Sequence, residues 1–149
     1  MFVSDILRTK GSAIHTGSPG LRVADAASQM TERKIGSLLI LDGALESGGA
    51  ITGILSERDI VRGLATFGVD CLQGPVSQLM TQGVTTIAPA ATIARAMEVM
   101  TEGRFRHLPV VDDAALTGMI SIGDVVKHRL AEASKEVEEM QKYVQGQYD

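Results

Sequence analysis

Apolar residues in this chain fall into two kinds of run, and each kind occurs twice. Val23, Ala26, Ala27 and Met30 recur at i, i+3, i+4 and i+7, one face of a helix. Ile93, Ala96, Met97 and Met100 repeat that spacing, and each set follows a proline turn, Pro19-Gly20 or Pro89-Ala90. Continuous apolar runs at 38–41 and 108–111 read as short buried strands, and 51–55 and 116–120 as their partners. A second helix is predicted just after Ser56 and again after Ser121. The pattern is strand, helix, strand, strand, helix, written twice.

The letters repeat as well as the pattern. Met30-Thr31-Glu32 returns as Met100-Thr101-Glu102, and Val3-Ser4-Asp5-Ile6-Leu7 matches Val76-Ser77-Gln78-Leu79-Met80 at an offset of 73. The stretch from Ile35 to Asp42 matches Phe105 to Asp112 at 70, and the stretch from Gly53 to Val61 matches Gly118 to Val126 at 65. The drift in offset is explained by three extra residues before the first helix and five in the Gly/Ser-rich loop at 43–50. The boundaries read as repeat one at 2–66, a linker at 67–75, repeat two at 76–130 and a tail at 131–149. A unit of 55 to 65 residues buries too little surface to be comfortable alone, so the copies are expected to share burial.

Four segments carry a resemblance. They are Arg33-Lys34-Ile35-Gly36-Ser37-Leu38, Gly53-Ile54-Leu55-Ser56-Glu57-Arg58-Asp59, Phe105-Arg106-His107-Leu108-Pro109-Val110-Val111-Asp112 and Gly118-Met119-Ile120-Ser121-Ile122-Gly123-Asp124-Val125-Val126. Over about residues 2 to 130 the chain resembles a tandem pair of cystathionine β-synthase (CBS) domains, a Bateman module, of the small stand-alone kind found in bacteria and plant mitochondria. The resemblance implies an α/β (α+β) fold of two β-α-β-β-α repeats about a pseudo-twofold axis, with an extended C-terminal helix. It also implies an adenosine nucleotide (AMP, ADP, ATP, sometimes NAD or S-adenosylmethionine) in two clefts between the repeats. Flat disc-like dimers that sense rather than catalyse follow from the same resemblance, with no cofactor required.

By that resemblance Asp59 and Asp124 accept hydrogen bonds from ribose hydroxyls, and Ser56 and Ser121 lie by the phosphate. A carboxylate suits a vicinal diol, and a helix start offers free N–H groups to an anion. Ser-x-x-Asp is equally a near variant of the capping box, which satisfies helix amides with no ligand present. Both readings remain open on the residues alone. Arg104, Arg106 and His107 gather at a strand entry of repeat two, where Arg is the better bidentate phosphate donor. Alternation sends Arg106 and His107 to opposite sides of the strand, and Arg106 is the preferred ligand residue; a lone strand His reads first as structural. Arg33, Lys34 and Arg58 are the nearest equivalents in repeat one, which has Gly36 and Ser37 at the strand entry, so the two sites are expected to be unequal. Ile87, Leu108, Pro109 and Val110 would wall the adenine, as core residues with a second role, and Thr86 would offer a backbone contact to the base.

Composition narrows the classes. Of 149 residues 44% are hydrophobic but only 3% aromatic, so the core is aliphatic and the composition argues against a base-stacking platform for single strands. The net charge of -4 is local: five acids and two bases in the tail hold -3, which leaves the remaining residues near neutral and without a basic face for duplex DNA. There is one cysteine, Cys71, beside Asp70 in the linker; it excludes an internal disulfide and gives a redox role little support. His15, His107 and His128 lack metal spacing, and no phosphate loop, nucleophile elbow or zinc-protease motif is present. Neither an apolar run near 18 residues nor a basic leader occurs.

In the tail, Val126, Leu130, Ala133, Val137, Met140 and Val144 are spaced 4, 3, 4, 3, 4, predicting a helix to about residue 145. Such a stripe either packs on its own domain or pairs across a homodimer; the second is favoured because residues 2–130 already make a complete module. With that family resemblance, the reading is a cytoplasmic, non-enzymatic, homodimeric regulator that binds an adenosine nucleotide and signals to a partner protein, with no membrane contact. The alternative is a structural dimerisation module with degenerate, non-binding clefts.

Overall fold

The computed structural model describes residues 1–45 and 48–146; Glu46 and Ser47, in the Gly/Ser-rich loop, and residues 147–149, at the end of the tail, lie outside them. In chain order the elements are α1 (Val3–Lys10), β1 (Thr16–Gly17), α2 (Val23–Arg33), β2 (Ser37–Asp42), β3 (Ala50–Ser56), α3 (Glu57–Phe67), α4 (Ile93–Gly103), β4 (His107–Asp112), β5 (Ala115–Ser121) and α5 (Ile122–Val144). Short 3-10 turns at Val69–Gln73 and Val76–Gln78 lie between α3 and α4.

The elements form where the periodicity put them. α2 buries Val23, Ala26 and Met30, and α4 buries Ile93, Ala96 and Met100, one stripe of each helix. β2 and β3 pair antiparallel from Ser37↔Ser56 to Asp42↔Ala50, and β4 and β5 from His107↔Ser121 to Asp112↔Ala115. Both ladders shift register at the same place, after Ile40 and after Val110. The opening strand of each repeat is slight. β1 is two residues parallel to β2, and its counterpart is a single parallel bridge between Ile87 and Val110.

The chain makes two compact units: the first is Ile14–Thr85, and the second joins Met1–Ala13 to the described residues from Thr86 onward. The units are offset from the sequence repeats, because the segment that heads each repeat is built into the body holding the other repeat's strands. Val3 and Ile6 of α1 are fully buried with Leu108, Val110, Ile120 and Val125 of the second unit. Val76 and Leu79 are buried with Leu38, Ile40 and Leu55 of the first. The main chain repeats the exchange. Val3 N–H donates to Ala91 O and Ser4 N–H to Pro89 O, while Val76 N–H donates to Leu21 O and Ser77 N–H to Pro19 O.

Two glycines admit these segments. A Cβ on Gly118 would stand 2.6 Å from Leu7 Cδ2, and one on Gly53 would stand 2.7 Å from Met80 Sδ and 3.0 Å from the Thr81 carbonyl oxygen. Leu7 and Met80 occupy matching places in the repeat, as do Gly118 and Gly53, so one close approach is made twice. The stretch expected to be a linker is folded into the first unit: Cys71 is buried in its core, and Gly74 O accepts from Val23 N–H at 3.0 Å. α5 is a 23-residue helix whose stripe of Val126, Leu130, Val137, Met140 and Val144 is exposed rather than packed on its own unit. Among the described residues no helix is long and apolar enough to cross a membrane.

Candidate functional site

In the second unit the turn from β5 into α5 gathers the candidate residues. Ser121 is extended (φ -106°, ψ 164°), which points its side chain back over the first helical turn. Its Oγ accepts from Asp124 N–H at 3.2 Å, and Asp124 Oδ2 accepts from Ser121 N–H at 2.8 Å, a reciprocal cap. Ile122 N–H donates to Arg106 O at 2.8 Å, which fixes the strand entry against the helix start. From the end of α1, Lys10 Nζ donates to Asp124 Oδ2 at 2.7 Å and to Met119 O at 3.1 Å. Among the described residues every hydrogen bond to the carboxylate therefore falls on Oδ2, and the Asp124 side chain keeps 23% of its surface exposed. Burial pushes its pKa up, but the Lys10 hydrogen bond and charge, with the Ser121 hydrogen bonds, outweigh that and hold it below the usual carboxylate range.

The first unit builds the same turn and closes it. Ser56 is extended (φ -111°, ψ 166°); its Oγ accepts from Asp59 N–H at 3.3 Å, and its own N–H donates to Asp59 Oδ2 at 2.8 Å. The Ser56 hydroxyl also donates to Oδ2, at 3.0 Å, while Oδ1 accepts from Thr81 Oγ1 at 3.0 Å with Arg62 Nη1 at 3.5 Å. Asp59 is 4% exposed. Both of its oxygens are engaged inside the protein.

The remaining candidates are dispersed. Arg106 and Thr86 are exposed, with the Arg106 side chain at the entry to β4. Leu108 and Val110 are fully buried and Ile87 is 7% exposed, all three in the second unit's core. Pro109 alternates to the other face of β4 and accepts from Ile87 N–H at 3.0 Å. His107 is half-buried opposite Ser121 and has a partner of its own. In the first unit Arg58 is exposed on α3. Lys34 closes α2 with a left-handed φ of 54°, and Arg104 closes α4 with 58°. Lys34, Thr31, Gly36, Glu57 and Ile60 help line an open groove of about 510 Å³, and Ser56, Arg58 and Asp59 are not among its walls. The first unit thus brings Ser56 and Asp59 together by hydrogen bonds, while Lys34 lines that groove and Arg58 is exposed on α3.

Two residues at these turns escaped sequence reasoning. Lys10 and Thr81 each reach the helix-start carboxylate from the segment that heads a repeat. The match of Val3–Leu7 to Val76–Met80 signalled equivalent roles, but nothing local to residue 10 tells that it meets residue 124. Among the described residues no cluster of three or more His, Cys, Asp or Glu could hold a metal ion.

The profile of the CBS-domain family matches residues 3–66 and 76–131. The mitochondrial CBS domain-containing protein CBSX3 of Arabidopsis thaliana is 32% identical over 98% of this chain and 73% of its own length. A crystal structure of a CBS-domain containing protein from Agrobacterium tumefaciens superposes with a TM-score of 0.82 at 41% identity, over 87% of this chain and 99% of that one. CBSX2, solved in complex with AMP, superposes at 0.69 with 26% identity, over 89% and 98%. A CBS pair solved with 5′-methylthioadenosine and S-adenosyl-L-methionine shares the fold at 0.72 and 23% identity, over 89% and 98%.

Proposed function

The chain belongs to the CBS-domain family, as a tandem pair, and from that premise we propose that it is a non-enzymatic, cytoplasmic regulatory module. Its ligand is an adenosine nucleotide of the AMP, ATP or NAD type, its carrier of ribose recognition is Asp124, and its output is a change presented to a partner protein. The AMP-bound relative supports the ligand class. One observation supports the site: Asp124, its carboxyl held below the usual range, is half-buried and takes no hydrogen bond on Oδ1 from the described residues, at a helix start beside Lys10 and the Arg106 strand entry. A vicinal diol needs such an acceptor, and a carboxylate supplies it with charge-assisted strength.

Arg106 serves this site as the phosphate donor, Ser121 as the hydroxyl by the phosphate, and Thr86 with Pro109 as the edge facing the base. Asp59 is saturated, which favours for the first unit the other reading, a structural cap with no ligand of its own. Calorimetry with AMP, ATP and NAD tests the assignment on wild type and on the Asp59→Ala/Asp124→Ala double variant. Binding to wild type that the double variant loses supports it, and unchanged affinity in the double variant rules the ribose contact out.

Homodimerisation is part of the same reading. Val61, Leu64 and Phe67 on α3 of the first unit stand exposed, as do Val126, Leu130, Val137, Met140 and Val144 on α5 of the second, and a second copy would cover each of these apolar faces. Light scattering on a chain shortened to residues 1–130 separates the contributions: loss of the dimer assigns the main contact to the tail, and a surviving dimer assigns it to the shorter helices.

A further inference from the structure

Lys10 lies outside every segment that carries the family resemblance to a binding site, yet its ammonium touches the carboxylate proposed to take the ribose. We propose that Lys10 is a ligand-contacting residue: it holds Asp124 Oδ2 when no ligand is present and meets the 5′-phosphate when one is. This rests on Asp124 being the ribose acceptor. The geometry carries it in three steps.

The first step is donor supply. A lysine ammonium has three N–H bonds, and here one goes to Met119 O and one to Asp124 Oδ2, so one remains for an incoming acceptor. The second is placement. Ribose hydroxyls on the open Oδ1 would put the 5′ substituent of the same ligand within the sweep of a flexible four-carbon stem anchored at the end of α1. The third is the ease of release. The Lys10 side chain is 36% exposed, and an ion pair so open to solvent is held weakly enough for a better anion to redirect it. A phosphate dianion is that better anion, because it carries up to two charges over three terminal oxygens where the carboxylate carries one over two. No other ammonium is bonded to the Ser121–Asp124 turn among the described residues.

The discriminating ligands are AMP and adenosine, which share base and ribose and differ by the phosphate. Calorimetry is run at fixed ionic strength on wild type, Lys10→Met, Lys10→Arg and Arg8→Gln. Lys10→Met keeps the stem and removes the charge; it should weaken AMP about tenfold and leave adenosine within about twofold. Lys10→Arg should restore the preference for AMP. Arg8→Gln removes an exposed charge from the same helix and should move neither ligand. Equal shifts of AMP and adenosine in Lys10→Met, no shift in either, or an equal shift from Arg8→Gln would each overturn the phosphate contact while leaving the ribose site in place. Failure of wild type to bind AMP or adenosine would overturn the ribose site itself, and Lys10's role with it.

Discussion

The two units share a β-hairpin, a bulge position, a glycine under a returning segment and a Ser-x-x-Asp helix start, yet their carboxylates are left in opposite states. In the first unit Thr81, from the returning segment and two positions short of the one matching Lys10, donates a hydroxyl to Asp59 Oδ1 and completes a sealed cap. In the second the returning segment delivers Lys10, whose ammonium shares Oδ2 with the Ser121 amide and leaves Oδ1 open. A neutral hydroxyl that fills the last acceptor makes structure, whereas a cation that shares an acceptor makes a site that can exchange partners. Repetition of a fold therefore does not repeat its chemistry. The residue that decides comes from outside the motif.

Four measurements press on this comparison, and the largest effect concerns the exchange of segments. Ile6→Ala and Leu79→Ala should each destabilise by about 2–4 kcal/mol in denaturant unfolding, since both side chains sit in packed cores. Hydrogen exchange should quicken mainly in α4 and β5 for Ile6→Ala and in α2 and β3 for Leu79→Ala. The opposite pattern would return each segment to the repeat it precedes.

Next in size is the contrast between the carboxylates. Removing Asp59 strands the Thr81 hydroxyl as well as the cap, so Asp59→Ala should destabilise by about 2–3 kcal/mol. Asp124→Ala loses a cap and an open ion pair and should fall nearer 1 kcal/mol. Equal losses would mean the two turns are equivalent after all.

A smaller effect, alike in both units, sharpens what they share. Lys34→Gly and Arg104→Gly relieve a left-handed backbone at matching helix ends and should each raise stability by about 0.5–1 kcal/mol.

The smallest effect is in pH. The folded-state pKa of Asp124 lies below the unfolded value of about 3.8, so its contribution to stability is present above about pH 4. That contribution is lost as pH falls through the lower, folded value. Carboxyl titration by NMR should show Lys10→Met raising the Asp124 pKa toward the ordinary range, and no change would detach Lys10 from the carboxylate.

Much of this was legible beforehand. Periodicity placed Val23, Ala26 and Met30, and their copies Ile93, Ala96 and Met100, because a helix stripe is a local signal. The strand pairs and the helix starts at Ser56 and Ser121 followed from the same repeat. The exchange of segments was not legible, because Val3 and Ile6 look the same whichever sheet they cover. Cys71 read as part of a linker, since a buried 3-10 turn has too short a period to announce its inner face. Lys10 and Thr81 were invisible for a third reason: their partners are 114 and 22 residues away, and only the folded chain brings them together.

The most direct test is calorimetry with AMP on the Asp124→Ala and Asp59→Ala single variants, each checked for folding by its melting transition. The account predicts that wild type binds AMP, that Asp124→Ala weakens it at least about tenfold, and that Asp59→Ala, though the less stable protein, binds within about twofold of wild type. Loss of binding in Asp59→Ala with retention in Asp124→Ala would contradict it.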